Sequence, residues 1–192
     1  MTRKHYLLYF TFLAMTLAGC SKSDDSTVTP TDNNAELLIR KWTFSDLTVK
    51  TDAKSYVIPQ TQGNMISVVS DDNAITFNKE GSFSYLSDSK PVMGKWTLIN
   101  KTLVLINADN VTSNWSVNAL TKTDLELASI NVDLTKGKDL TDRKVYTEEE
   151  NSVGAVSLIF LASLGKQNGG TIDLTKEPQP KSIQLILKGK GQ

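Results

Sequence analysis

The chain reads as an all-β, antiparallel protein with one helix near its C-terminal end, and two observations carry that reading. From Trp42 onward, short runs of alternating apolar and polar residues are separated by turn residues at the spacing of a sandwich or barrel. From Thr147 the apolar period lengthens from two residues to about 3.6. Composition agrees with one folded domain: 192 residues, 39% hydrophobic, with only 5 Pro and 11 Gly. The 21 Lys and Arg balance the 21 Asp and Glu, so no bulk charge marks the chain for nucleic acid.

Residues 1–19 read as an export signal. Arg3 and Lys4 precede an apolar stretch from Tyr6 to Leu17, and Ala18 and Gly19 stand directly before Cys20. About a dozen apolar residues are too few for a spanning helix, which needs roughly 20. Between Ser21 and Asn34 the only apolar side chain is Val28, so residues 20–34 are expected to form a flexible tether. The folded domain is then 35–192.

The strands follow in order. Ile75 and Phe77 share one face, Lys79-Glu80-Gly81 supplies a hairpin turn with glycine where a positive φ is needed, and Phe83 and Tyr85 return. Gly94, Trp96 and Leu98 alternate with Lys95 and Thr97, and Asn100-Lys101 turns the chain into Leu103–Ile106. That run is apolar at every position, so both its faces are expected to be covered. Val111, Trp115 and Val117 alternate with Thr112, Asn114 and Ser116, as in a half-buried strand, and Leu125 and Leu127 follow a Thr-Lys-Thr turn.

Thr147-Glu148-Glu149-Glu150 has the form of a capping box, and three acids suit the start of a helix. Val153, Val156, Phe160 and Leu164 then fall at helical spacing, which predicts a helix over 148–164 with this stripe laid on its own sheet. Gly154 and the β-branched residues leave a strand through Val156 to Leu161 as the competing reading. One or two further strands are expected, at Thr171–Leu174 and, beyond Pro178-Gln179-Pro180, at Ile183–Leu187.

Three resemblances add to this. Leu17-Ala18-Gly19-Cys20 resembles the lipobox of bacterial lipoproteins, which implies cleavage before Cys20 and fatty acylation there, with palmitate among the acyl groups. Lys22-Ser23-Asp24-Asp25 resembles the acidic export signal of some Gram-negative lipoproteins, which implies the outer membrane, on its surface or periplasmic face. The succession Leu38-Ile39-Arg40-Lys41-Trp42, Ile75-Thr76-Phe77, Gly94-Lys95-Trp96-Thr97-Leu98 and Trp115-Ser116-Val117 is similar to the lipocalin-like domains of bacterial lipoproteins. That similarity implies an up-and-down β-barrel with a small-molecule site at its open end, a helix packed outside it and a short strand after the helix. It also implies an arginine stacked over the first tryptophan to close the base, roles that fall to Arg143 and Trp42. Arg40 stands where the family has the glycine of its first Gly-x-Trp.

The chemistry is short of parts. Cleavage removes His5, the only histidine, and acylation consumes Cys20, the only thiol. The common catalytic and metal-binding routes lack their groups, so no enzyme, cofactor or metal is expected. The acid pairs Asp71-Asp72 and Asp124-x-Glu126 sit beside turns and read as solvated. Trp42 is expected in the core. Trp96 and Trp115, joined on one wall by Phe77, Phe83, Tyr85 and Leu98, are the candidate ligand-binding residues, and the absence of charge among them implies a small, mostly apolar ligand. The alternative is an interaction module of the outer-membrane surface, its barrel filled by side chains and its partner a protein or glycan. Either way the membrane is a partner through Cys20.

Overall fold

The computed structural model describes residues 34–58, 72–87 and 89–192. The export signal, Cys20, the tether as far as residue 33 and Asp71 lie outside the described residues. A short helix, α1 (Ala35–Leu38), leads into β1 (Lys41–Thr51) and β2 (Ser55–Ile58). An antiparallel meander follows: β3 (Ala74–Phe77), β4 (Ser82–Ser87), β5 (Lys90–Ile99), β6 (Thr102–Asn107), β7 (Thr112–Leu120) and β8 (Asp124–Ala128). Then come β9 (Val132–Asp133), α2 (Glu148–Ser163) and β10 (Ser182–Gly191). Because β10 pairs with both β8 and β1, the strands β1, β3 to β8 and β10 close into a barrel, with β2 and β9 as side extensions.

Local chemistry sets the turns. Gly81 takes φ +78°, and Asn100 and Lys101 both take positive φ, as a two-residue hairpin between right-twisted strands requires. In β1 the alternation skips at Ser45-Asp46, both exposed, where the register against β10 shifts. This bulge brings Trp42 and Phe44 before it, and Leu47 and Val49 after it, onto the buried side.

Three expectations change. The outer face of β6 is not covered: Leu103 is buried, but Val104 is half-buried and Ile106 is exposed, because the barrel wall here is a single sheet with solvent on one side. Residues 171–174 form no strand. Ile172 makes one bridge to Gly165, and the Asp173 carboxylate accepts from Thr175 Oγ1 at 2.6 Å, bending the chain into a short 3-10 turn from Leu174 to Lys176. The segment around Ile183–Leu187 is not a short add-on but a ten-residue stave that closes the barrel.

The helix forms with its capping box: Glu150 N donates to Thr147 Oγ1 at 3.2 Å, and Thr147 N donates to Glu150 Oε2 at 2.9 Å. Its buried face, however, runs through Gly154, Ser157, Phe160 and Leu161, while Val153 and Val156 are half-buried. A Cβ at Gly154 would lie 3.0 Å from Leu140 Cδ1, so the missing side chain is what lets the helix approach. Nor does α2 lie on the outside of the barrel. Val49 opposes both Tyr56 and Leu185, and Thr51 opposes Ile183, so these side chains share a face with Leu47 and Leu187 lower in the wall. Thr51 and Tyr56 line one groove with Leu158 and Leu161, which places α2 against the continuation of the interior face. One core joins Phe160, Leu161 and Leu164 to Leu185, Leu187 and Trp42.

Candidate binding cavity

The base of the barrel is packed shut. Trp42 is fully buried and its Nε1 donates to the carbonyl of Leu38 at 2.9 Å, so α1 supplies the acceptor that a buried indole needs. The cation over Trp42 is Arg40, its guanidinium carbon 5.6 Å from the ring centroid, and Arg40 Nη1 donates to the Lys122 carbonyl in the β7–β8 turn. Arg143 is exposed in the segment before α2 and takes no part. Residues two apart in an extended segment share a face, so Arg40 reaches the indole without any contribution from a late strand. Gly191 leaves the room: a Cβ there would lie 2.9 Å from Arg40 Cδ and 3.2 Å from Trp42 Cζ3.

Trp96 belongs to this packed layer. Its Nε1 donates to the Asn78 carbonyl at 3.1 Å, and its ring meets Phe77 edge-on at 5.7 Å. Leu98, two residues nearer the base, is buried with it. Strand phase places both side chains inward, but neither lines the hollow above them.

That hollow is a half-open cavity of about 190 Å³ at the upper end. Phe77, Phe83, Tyr85 and Trp115 line it together, so four of the six sequence-identified residues meet there. The Phe83 and Tyr85 rings lie parallel with centroids 6.1 Å apart. Phe83 stands directly opposite Gly94, whose missing side chain makes space for the ring: a Cβ would come within 2.4 Å of Phe83 Cζ. Sequence reasoning missed Phe44, Leu127 and Leu187 on the floor, and Asn107 and Ser113 near the rim. Ser113 could have been found, since it lies two residues from Trp115 and so shares its face. Phe44 could have been found in the same way, since it lies two residues from Trp42 on the same side of the bulge.

Among the described residues, none of the lining side chains is charged. The polar ones are Tyr85, Asn107, Ser113 and the Trp115 indole. Asn107 Oδ1 accepts from the backbone of Asp109 and Val111 at 3.0 and 2.9 Å, building the β6–β7 turn. Among the described residues, Trp115 Nε1, Asn107 Nδ2 and the hydroxyls of Tyr85 and Ser113 have no protein hydrogen-bond partner, and all four belong to side chains on the cavity wall.

A second hollow of about 480 Å³ lies between α2, the β1–β2 hairpin and the segment around Pro178. Several of its polar groups bond one another. Lys54 Nζ lies 2.5 Å from Glu177 and holds that carboxyl below its ordinary range, while Tyr56 donates to the same carboxylate at 3.2 Å. The Tyr146 hydroxyl bonds both the N–H and the carbonyl of Gly137. No family model, curated protein or solved structure matches the chain. Among the described residues, no group of three His, Cys, Asp or Glu is placed to hold a metal, and no helix is long and apolar enough to cross a membrane.

Proposed function

We propose that this is a lipid-anchored protein of the cell envelope, similar in kind to lipocalins, that binds a small, mostly apolar molecule in the upper cavity of its barrel without chemical change. The observation that supports it most is a wall that is mostly apolar, carries no charge among the described residues, and presents polar groups of Tyr85, Asn107, Ser113 and Trp115 that bond no protein partner among those residues. The anchor is Cys20, whose lipobox setting supports acylation and retention at the outer membrane.

Two experiments test the reading. Native mass spectrometry of the protein taken from its own cells should find a co-purifying small molecule that Trp115→Ala reduces, and a clean apo mass would count against a carrier. Cys20→Ser should abolish incorporation of labelled palmitate and release the protein from the outer-membrane fraction, and retention of both would remove the anchor.

A docking role has one supporting observation. Leu86 and Met93 are exposed on the outer face of the adjoining strands β4 and β5, Met93 at 58%. If charged substitutions at both abolish pull-down of envelope proteins or glycans and leave small-molecule binding intact, the outer face is the working surface.

A further inference from the structure

Resting on the barrel-cavity reading above, we infer that the ligand is a neutral, single-ring compound bearing a hydrogen-bond acceptor, an aryl ketone or small lactone in type, and that the Trp115 indole N–H selects it.

Volume sets the size. An apolar cavity of about 150 Å³ takes a benzene ring, and drug-sized ligands occupy roughly 300–1,000 Å³. At about 190 Å³ this cavity holds one ring and a few further atoms. A long acyl chain or a fused-ring lipid exceeds that volume and would leave much of its apolar surface outside the open end.

The wall sets the charge. An ionised group brought against Phe83, Leu127 and Leu187 loses its hydration, and among the described residues no lining side chain carries a counter-charge. A carboxylate or ammonium ligand is therefore disfavoured.

The polar groups set the acceptor. Two of the three tryptophans give their N–H to backbone carbonyls, Trp42 to Leu38 and Trp96 to Asn78. Trp115, the one that lines the cavity, gives its N–H to no protein acceptor among the described residues. Asn107 has its oxygen held by the turn, which leaves its NH2 as the available end. An indole N–H and an amide NH2 only donate, so their complement is an oxygen or nitrogen that accepts. Ser113 and Tyr85 hydroxyls rotate to either role and do not oppose this.

The test uses the full-length chain in lipid nanodiscs with four probes: acetophenone, ethylbenzene, benzoate and palmitate. Calorimetry should show acetophenone binding about five- to tenfold more tightly than ethylbenzene, the worth of one net hydrogen bond, with benzoate weaker than both. In the 15N-labelled protein, acetophenone should move the Trp115 indole signal and leave those of Trp42 and Trp96 in place. Trp115→Phe keeps an aromatic ring but no N–H. It should cut the ratio of acetophenone to ethylbenzene affinity by about threefold or more, a ratio in which the loss of ring area common to both ligands cancels. Equal binding of acetophenone and ethylbenzene overturns the acceptor assignment, and binding of palmitate alone overturns the size assignment, while the carrier reading survives either result. Failure of all four probes to bind overturns the carrier reading itself.

Discussion

Gly94→Ala should strike the fold and the cavity together, because the glycine lies directly opposite Phe83 on the neighbouring strand. The new methyl would meet Phe83 Cζ and the Ile106 carbonyl oxygen at 2.4 Å each, far inside van der Waals contact. The carbonyl belongs to the β5–β6 ladder, so easing that contact loosens the sheet, and the ring must move as well. Phe77 and Tyr85 flank it with centroids 6.4 and 6.1 Å away, and the empty side is the cavity. Overpacking of this kind costs about 1–3 kcal/mol, and two contacts this short put Gly94→Ala near the top of that range. Replacing a strand glycine gives back about 0.5–1 kcal/mol of chain entropy, leaving a net loss of about 2 kcal/mol. For a domain of this size that lowers Tm by roughly 4–8 °C, and ligand affinity should fall with it as Phe83 fills the cavity. Thermal unfolding followed by circular dichroism reads the first effect and calorimetry the second. Phe83→Leu in the same chain relieves the ring contact but not the one with the Ile106 carbonyl, so the double variant should recover about 1 kcal/mol relative to additivity. Additive losses, or a Gly94→Ala protein as stable as the parent, would refute the account of how the cavity wall is held.

Other perturbations test other parts of the frame. Glu149→Ala removes the carboxylate that accepts from Asn114 N at 2.6 Å and Asn114 Nδ2 at 3.0 Å, and should cost about 1.5–3 kcal/mol in denaturant unfolding while raising hydrogen exchange at Asn114. Arg40→Met keeps the packing stem but loses both the cation over Trp42 and the bond to Lys122, with an expected cost of about 1–2 kcal/mol and no effect on ligand affinity. Arg143→Met should leave Tm unchanged, since that side chain is exposed. The Glu150 carboxyl is held below its ordinary range, first by Lys136 and then by the Thr147 N–H, so its contribution is present above the unfolded value of about 4.3 and is lost as pH falls through the folded one. Tm of the parent should therefore drop more steeply below about pH 4.3 than that of Glu150→Gln, and parallel curves would remove the capping box from the acid response.

Much of the barrel was legible because its signals are local. Gly81, the Asn100-Lys101 pair and the Thr147-to-Glu150 box each act within a few residues, and each does in the structure what its chemistry requires. Inward phase was legible too, which is why Phe77, Phe83, Tyr85 and Trp115 meet. Height along the barrel was not: Trp96 has the right phase but lies in the base layer, and only the pairing of its N–H with Asn78, 18 residues away, reveals that. The buried side of α2 was legible only in part, since Phe160 and Leu164 of the expected stripe are buried while Val153 and Val156 are half-buried. Hydrophobic spacing selects Val153 and Val156, whereas close packing on Leu140 selects Gly154, a residue that propensity alone counts against a helix.

The position of the hollow follows from where strands stop. β3 pairs with β4 only at Thr76–Ser84 and Phe77–Phe83, so the upper part of β4 runs on without it. On the far side, β8 ends at Ala128 opposite Ser116, leaving the upper edge of β7 without a strand partner in β8. Glu149 occupies that edge by accepting the Asn114 N–H, which both satisfies a backbone donor and fixes the first turn of α2. The long strands β1 and β10 behave oppositely: they continue past the barrel, and α2 covers their extension. The upper end is thus filled beside β1 and β10 and hollow beneath β4, β6 and β7, where Trp115 and Asn107 stand. Any change that lengthened β8 along β7 would displace Glu149 and shift α2 before it reached the cavity, so the helix and the binding wall are coupled through one carboxylate.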